Sequence, residues 1–190
     1  SVDEQFPRLE IEALGYHVET HGQKGFNGVA LLSKKSPDEV NRGIPGDDGD
    51  EQARFIEGVY STDKGVVRVV SLYLPNGNPV DTEKFPYKLS WMQRLELWAK
   101  DRLALEEPLV LAGDYNVIPE PDDAKNPEQW VGDALFKPQS RQAFRRLENL
   151  GFTDAIRAST DDSGIYSFWD YQAGAWQKNN GIRIDHLMLS

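Results

Sequence analysis

The sequence predicts a layered α/β or α+β domain. Three observations carry that expectation: apolar runs of strand length recur between polar turns, two segments show helical spacing, and a long helix leads directly into a buried strand. Residues 4–14 place Phe6, Leu9, Ile11 and Leu14 at helical intervals before Gly15, as a short helix with a glycine C-terminal cap does. Strands are expected at 16–20, 28–33, 54–61 and 66–74, paired antiparallel, the last ending in the turn signal Pro75-Asn76-Gly77. A long helix fits 87–105, with Leu89, Met92, Leu95, Ala99 and Leu103 on one side. It runs into Leu109-Val110-Leu111-Ala112-Gly113-Asp114-Tyr115-Asn116, an apolar strand that stops at a glycine and two polar residues. About 20 polar, proline-marked residues follow through Pro138, a loop long enough to suggest function. A second helix fits 140–150, with Phe144 and Leu147 inward and Gly151 after its end. The chain closes with 167–171, a polar bend and an expected strand over 182–189.

Composition narrows the class. A chain of 190 residues fits one domain able to bury roughly 70% of its unfolded surface. Five Trp, eight Phe and seven Tyr argue for a packed globule. No apolar stretch approaches the roughly 20 residues that cross a bilayer, and Ser1-Val2-Asp3-Glu4 has no signal-peptide character. A soluble, cytoplasmic protein with no membrane partner is expected. With no cysteine, disulfides and thiolate zinc sites are excluded. A net charge of −10 speaks against a nucleic-acid coat protein, whose affinity comes from Lys and Arg on phosphates. It leaves room for a nuclease with a local basic face and a metal ion at the scissile phosphate. The acidic run Gly46-Asp47-Asp48-Gly49-Asp50-Glu51 lacks calcium-loop spacing and reads as a solvated loop.

Five segments can carry chemistry. The strand period of two puts Asp114 and Asn116 on one side as the chain leaves the sheet, where an oxygen-rich pair suits a hard cation; an Asx-type turn explains the same residues equally well. Tyr73 ends its own strand in the same way, and its phenol either donates to a phosphate or packs. In 182–189, Arg183, Asp185, Leu187 and Leu189 alternate with Ile182, Ile184, His186 and Met188. Asp185 either orients a histidine or metal or sits on a wet edge strand, and His186 reads as packed or exposed rather than ligating. The loop Gly22-Gln23-Lys24-Gly25-Phe26-Asn27-Gly28 is a phosphate-tracking loop or a hairpin turn, without the spacing of a P-loop. Tyr166-Ser167-Phe168-Trp169-Asp170-Tyr171 offers aromatic rings for stacking on a sugar or base, or for core packing.

Together these segments resemble the exonuclease III branch of the endonuclease/exonuclease/phosphatase superfamily, over nearly the whole chain. Gly113-Asp114-Tyr115-Asn116 and Arg183-Ile184-Asp185 match the superfamily, while the 22–30 loop, Tyr73-Leu74-Pro75-Asn76-Gly77 and Ser167-Phe168-Trp169-Asp170-Tyr171 match its DNA-repair branch. The resemblance implies a four-layer α/β sandwich of two packed mixed β-sheets, incomplete at both termini. It implies hydrolysis of DNA phosphodiesters with Mg²⁺ (or Mn²⁺), 3′ to 5′ on duplex ends and 5′ to abasic sites, in base excision repair, with double-stranded and abasic-site DNA as partners. Asp114 would activate the attacking water, and Asn116 would position that water or the metal, both counting as metal ligands. Tyr73 would bond the scissile phosphate, and Asp185 would hold the family's catalytic histidine. Gln23, Lys24, Phe26 and Asn27 would lie against DNA, Phe168 and Trp169 would pack on the flipped abasic sugar, and Asn180 and Arg183, counted with the DNA-binding residues, would support that wall.

Two family elements have no counterpart. The metal-ligand glutamate of a Gln-Glu pair, with an earlier asparagine, would precede this chain, and the Ser-Asp-His element would follow Ser190. No Gln-Glu pair occurs, and His17, His21 and His186 lack a preceding Ser-Asp. The resemblance therefore implies an internal piece of a longer protein, a single truncated domain over 1–190 that binds metal poorly and cleaves little. The full-length protein is expected to be a monomer and the piece to self-associate through unpaired strands. Alternatives are another phosphoesterase of the superfamily, acting on inositol phosphates or phospholipids, and a non-catalytic interaction domain on the same scaffold.

Overall fold

In the computed structural model, which describes residues 1–190, the expected helix at 4–14 is divided. A 3-10 turn at Asp3–Gln5 is followed by the short helix α1, Arg8–Glu12. Proline is the cause: the residue before it is pushed out of the helical region, and Phe6 takes φ −72°, ψ 134°. Leu9 and Leu14, expected inward, are 77% and 70% exposed. Strands β1 (His17–His21) and β2 (Val29–Ser33) form an antiparallel hairpin, with His21 opposite Val29, so residues 22–28 are its connecting loop.

A six-stranded sheet forms the centre. Its strands are β3 (Glu39–Arg42), β4 (Phe55–Thr62), β5 (Gly65–Tyr73), β6 (Leu109–Asp114), β7 (Thr153–Asp154) and β10 (Asp185–Leu189), in the order β3-β4-β5-β6-β10-β7. Only β5 and β6 are parallel, joined by the crossover helix α2, Lys84–Leu103. Helix α3 (Pro138–Asn149) packs beside α2, and α4 (Ala155–Ser159) starts at Asp154, whose side chain accepts from the backbone N–H groups of Ile156 and Arg157. A ribbon of β8 (Phe168–Trp169) and β9 (Gly181–Ile182) stands apart from the large sheet. The hairpin lies against β4 and β5, and α1 lies against β1. The layers thus run helices, mixed sheet, small sheet, helix, in agreement with the four-layer expectation.

The main core fills the space between the large sheet and α2–α3, and includes Phe55, Val70, Leu72, Leu111, Trp91, Leu95, Trp98, Phe144 and Met188. The buried stripe of α2 is turned from the expected one: Lys88, Trp91, Met92, Leu95, Trp98 and Ala99 are inside, while Leu89 and Leu103 are half-buried. A second cluster of Ile118, Ala124, Leu135, Phe136, Ile182 and Ile184 packs with Trp130 and Phe168. It pins the long loop after β6 under the β8–β9 ribbon, so that loop is packed rather than free. The acidic run is not wholly solvated either, because Asp50 turns in to Arg94 at 2.8 Å and to the Tyr87 hydroxyl at 2.9 Å.

Candidate active site

Strand register puts three distant residues in one row. Tyr73 is the parallel partner of Asp114, and Asp185 is its antiparallel partner on the other side. Tyr73 and Asp114 sit where their strands leave the sheet, the place where open α/β sheets bind ligands, and Asp185 opens β10 beside them. Gly113 makes the close approach of β5 and β6 possible, since at φ 152° a Cβ there would lie 1.9 Å from the Leu72 carbonyl oxygen. A cleft of 470 Å³ opens over the Tyr73–Asp114 part of the row, lined also by Gly113 and by Asn27 from the hairpin loop.

The Asp114 carboxyl accepts from the Asn116 backbone N–H at 2.8 Å, so the Asx turn and the site are one structure. Burial raises the pKa of Asp114 to about 6, and the like charge of Asp185 adds to the rise. The Asn116 bond, Lys88 and Arg54 act against it. Asn116 itself is buried with φ 48°, and its side-chain amide donates to the Leu74 carbonyl at 2.8 Å. Its carbonyl oxygen accepts from the Asn76 amide at 3.4 Å, which turns it toward the neighbouring loop rather than away into the cleft. Two residues escaped the sequence reading. Asn76 was visible only as a turn former, yet it meets Asn116. Arg54 stands over the Tyr73 ring at 5.0 Å and donates to the Tyr73 carbonyl at 3.1 Å, a pairing that one strand's sequence could not reveal.

The remaining expected residues fall in two other places. In the hairpin loop, Gln23 accepts from the Ala53 N–H at 2.6 Å and from the Asn27 amide at 3.2 Å, which braces the loop from within. Lys24 is exposed, and Phe26 is 87% exposed with no core to fill. The aromatic wall lines a separate cavity of 510 Å³ that holds Phe168 and Asn180 together with Lys125, Asn126 and Trp130. Trp169 donates to Asn179 at 3.0 Å and meets the Trp176 ring at 4.7 Å. Ser167 ties this wall to the row by accepting from the backbone N–H groups of Ile184 and Asp185, each at 3.0 Å.

Arg183 departs from its expected place on the DNA face. It is 2% exposed, its guanidinium bound to Asp123 at 2.7 Å and Asp154 at 2.8 Å. The expected strand over 182–189 is broken at Arg183 and Ile184, which breaks the alternation, so Arg183 turns inward and meets His186 at 3.1 Å. Asp123 would be raised by burial, but hydrogen bonds and charge from Arg183 and then Arg157 hold its pKa below the usual value. Arg183 supports the wall from beneath.

The profile of the endonuclease/exonuclease/phosphatase family matches residues 2–190. The chain belongs to this family. Exodeoxyribonuclease III of Haemophilus influenzae is 35% identical over 196 residues, covering 99% of this chain and 73% of that protein. The exodeoxyribonuclease of Bacillus subtilis is 33% identical and covered over 71% of its length. Among solved structures, a Neisseria 3′ phosphatase bound to a product DNA hairpin superimposes with TM-score 0.94 at 34% identity, covering 100% of this chain and 72% of that one. An AP endonuclease from Archaeoglobus fulgidus gives 0.89 at 33%, covering 98% and 71%. These relatives put the chain in the exonuclease III branch of a family of hydrolases. No helix is long and apolar enough to cross a membrane.

Proposed function

We propose that the protein carrying this chain is a Mg²⁺-dependent DNA phosphodiesterase of the exonuclease III type, a 3′ to 5′ exonuclease and abasic-site endonuclease acting in DNA repair. The row Tyr73–Asp114–Asp185 carries this reading, because it gathers a phenol and two carboxylates at adjacent strand ends. Asp114 takes the proton of the attacking water, whose oxygen bonds to phosphorus as the P–O3′ bond breaks. A pKa of about 6 keeps that carboxylate mostly ionised at neutral pH while leaving it a better base than an exposed aspartate. The Tyr73 hydroxyl donates to a non-bridging oxygen. The Asn116 amide has one N–H beyond the one spent on Leu74, and that proton would serve the charge developing on the phosphate.

Asp114 and Asp185, direct partners on adjacent strands, fit a divalent cation, and Mg²⁺ is usually held by one or two carboxylates plus substrate phosphates, without an all-protein cage. Asp114 and Asp185 would hold it, with the Asn116 carbonyl oxygen turned toward Asn76 as the weaker donor. The ion supplies charge neutralisation at the phosphate. On either side, Lys24, Phe26, Gln23 and Asn27 meet one stretch of DNA backbone, and Phe168, Trp169 and Asn180 meet the displaced sugar.

The test is Asp114→Asn, assayed on a duplex with one abasic site. Cleavage is expected to fall by roughly 10² to 10⁴-fold. The fold should not suffer: a carboxyl whose folded pKa lies above its unfolded one costs stability as pH rises from about 3.8 to about 6, so the variant should melt no lower at pH 7. Cleavage at the unmodified rate would remove Asp114 from the chemistry.

A further inference from the structure

Lys88 has no exposed surface, and no carboxylate pairs with its ammonium. It donates instead to three main-chain carbonyls, Asn116 at 2.5 Å, Asn76 at 3.1 Å and Ala134 at 3.4 Å. An ammonium has three protons, and all three are used. Each acceptor belongs to a different segment: the turn after β6, the turn after β5, and the long loop that leads to α3. Asp133 and Asp114 favour its charge from a distance, but neither bonds to it and burial outweighs them, so an apolar residue of its volume would serve the core better.

The surrounding backbone is shaped to this side chain. Gly77 has φ 86°, and a Cβ there would lie 2.6 Å from the Lys88 Cδ, so the loop after β5 rests directly on the lysine stem. Asn116 is held in the left-handed region with its carbonyl aimed at the ammonium. From that position its N–H reaches Asp114 and its amide reaches Leu74. One hydrogen bond therefore separates Lys88 from the group that orients Asp114.

We propose that Lys88 is the positioning residue of the site, locking the loops 74–78 and 114–118 together so that Asp114 and the amides of Asn76 and Asn116 face the scissile phosphate as one unit. The proposal rests on the nuclease reading above, but part of its test does not. In the protein, Lys88→Met is expected to lower kcat on an abasic duplex roughly 100-fold, the effect of a displacement of about 1 Å. KM should change by less than about twofold, because only the transition-state geometry is lost. The side-chain amide NMR signals of Asn76 and Asn116 should shift, and Lys88→Arg, which keeps donors at this position, should recover about tenfold of the lost kcat. Leu147→Ala, in the core of α3, serves as a control that loses stability without losing kcat.

Unmoved amide signals, or a kcat loss no greater than in Leu147→Ala, would overturn the proposal. Should Lys88→Met fail to fold, Lys88→Arg carries the test alone: the larger head group must shift the Asn116 signal and lower kcat at constant KM, and no change in either contradicts the role. If the unmodified protein cleaves no abasic duplex, the nuclease reading fails, while the amide signals still judge whether Lys88 sets these loops.

Discussion

His186 is 3% exposed, its ring 5.4 Å from Tyr115 and 4.8 Å from Phe144. Its two neighbours fix the proton's position. The Val117 carbonyl, 2.8 Å from Nε2, can only accept, and the Arg183 guanidinium, 3.1 Å from Nδ1, can only donate. The imidazole is therefore neutral, protonated on Nε2, and it holds the residue after Asn116. Burial lowers its pKa to about 4, and the charge of Arg183 works in the same direction against Asp154 and Asp123. Between about pH 6.5 and pH 4 the unfolded chain binds a proton at this residue that the folded chain does not, so stability is lost as pH falls through that window. Compared with His186→Gln, the unmodified protein should lose up to about 3 kcal/mol more between pH 7 and pH 4 in urea unfolding. Parallel pH profiles for the two would contradict the assignment. The sequence left His186 packed or exposed, and the structure packs it, but nothing in the sequence could name its partners.

The elements show which signals a sequence carries. Strand β6 and helix α2 were legible because both have a strong apolar period and clear ends. Strand β3 was missed because Glu39-Val40-Asn41-Arg42 is a polar edge strand with little to bury, and the two-residue β7 is too short to show a pattern. The expected strand over 182–189 failed for another reason: the Arg183 guanidinium gains more from two buried carboxylates than from continuing the alternation. Lys88 was read past because its helical position looks like surface until the loops above it are in place. At β6 the decisive residue is Gly113. Gly113→Ala would force the Leu72 carbonyl aside and move Tyr73 and Asp114 with it. We expect a loss of roughly 3 kcal/mol in denaturant unfolding. An alanine variant as stable as the parent would show that the strands need no such approach.

Across the whole molecule, the layers bring together residues that the sequence holds far apart. Tyr73, Asp114 and Asp185 come from three adjacent strands of one sheet, and Ser167 links the aromatic wall to the same row. The types of these residues, and the strand-end places of Tyr73 and Asp114, were readable in advance, whereas Asp185 was expected inside a strand over 182–189 and instead opens β10. Their common register was not readable, because it depends on a parallel crossover through α2 and on β10 inserting between β6 and β7. With an overall charge of −10, the proposed function asks local cations such as Lys24 and a metal ion to attract the substrate, and asks the row to act as a unit. Kinetics of Asp114→Asn, Asp185→Asn and the double variant on an abasic duplex test this most directly. If the two carboxylates form one centre, the double variant will be little slower than Asp114→Asn alone, since residues that act together are strongly non-additive. Losses that simply multiply, or full activity in either single variant, would mean that the row is not the catalytic centre.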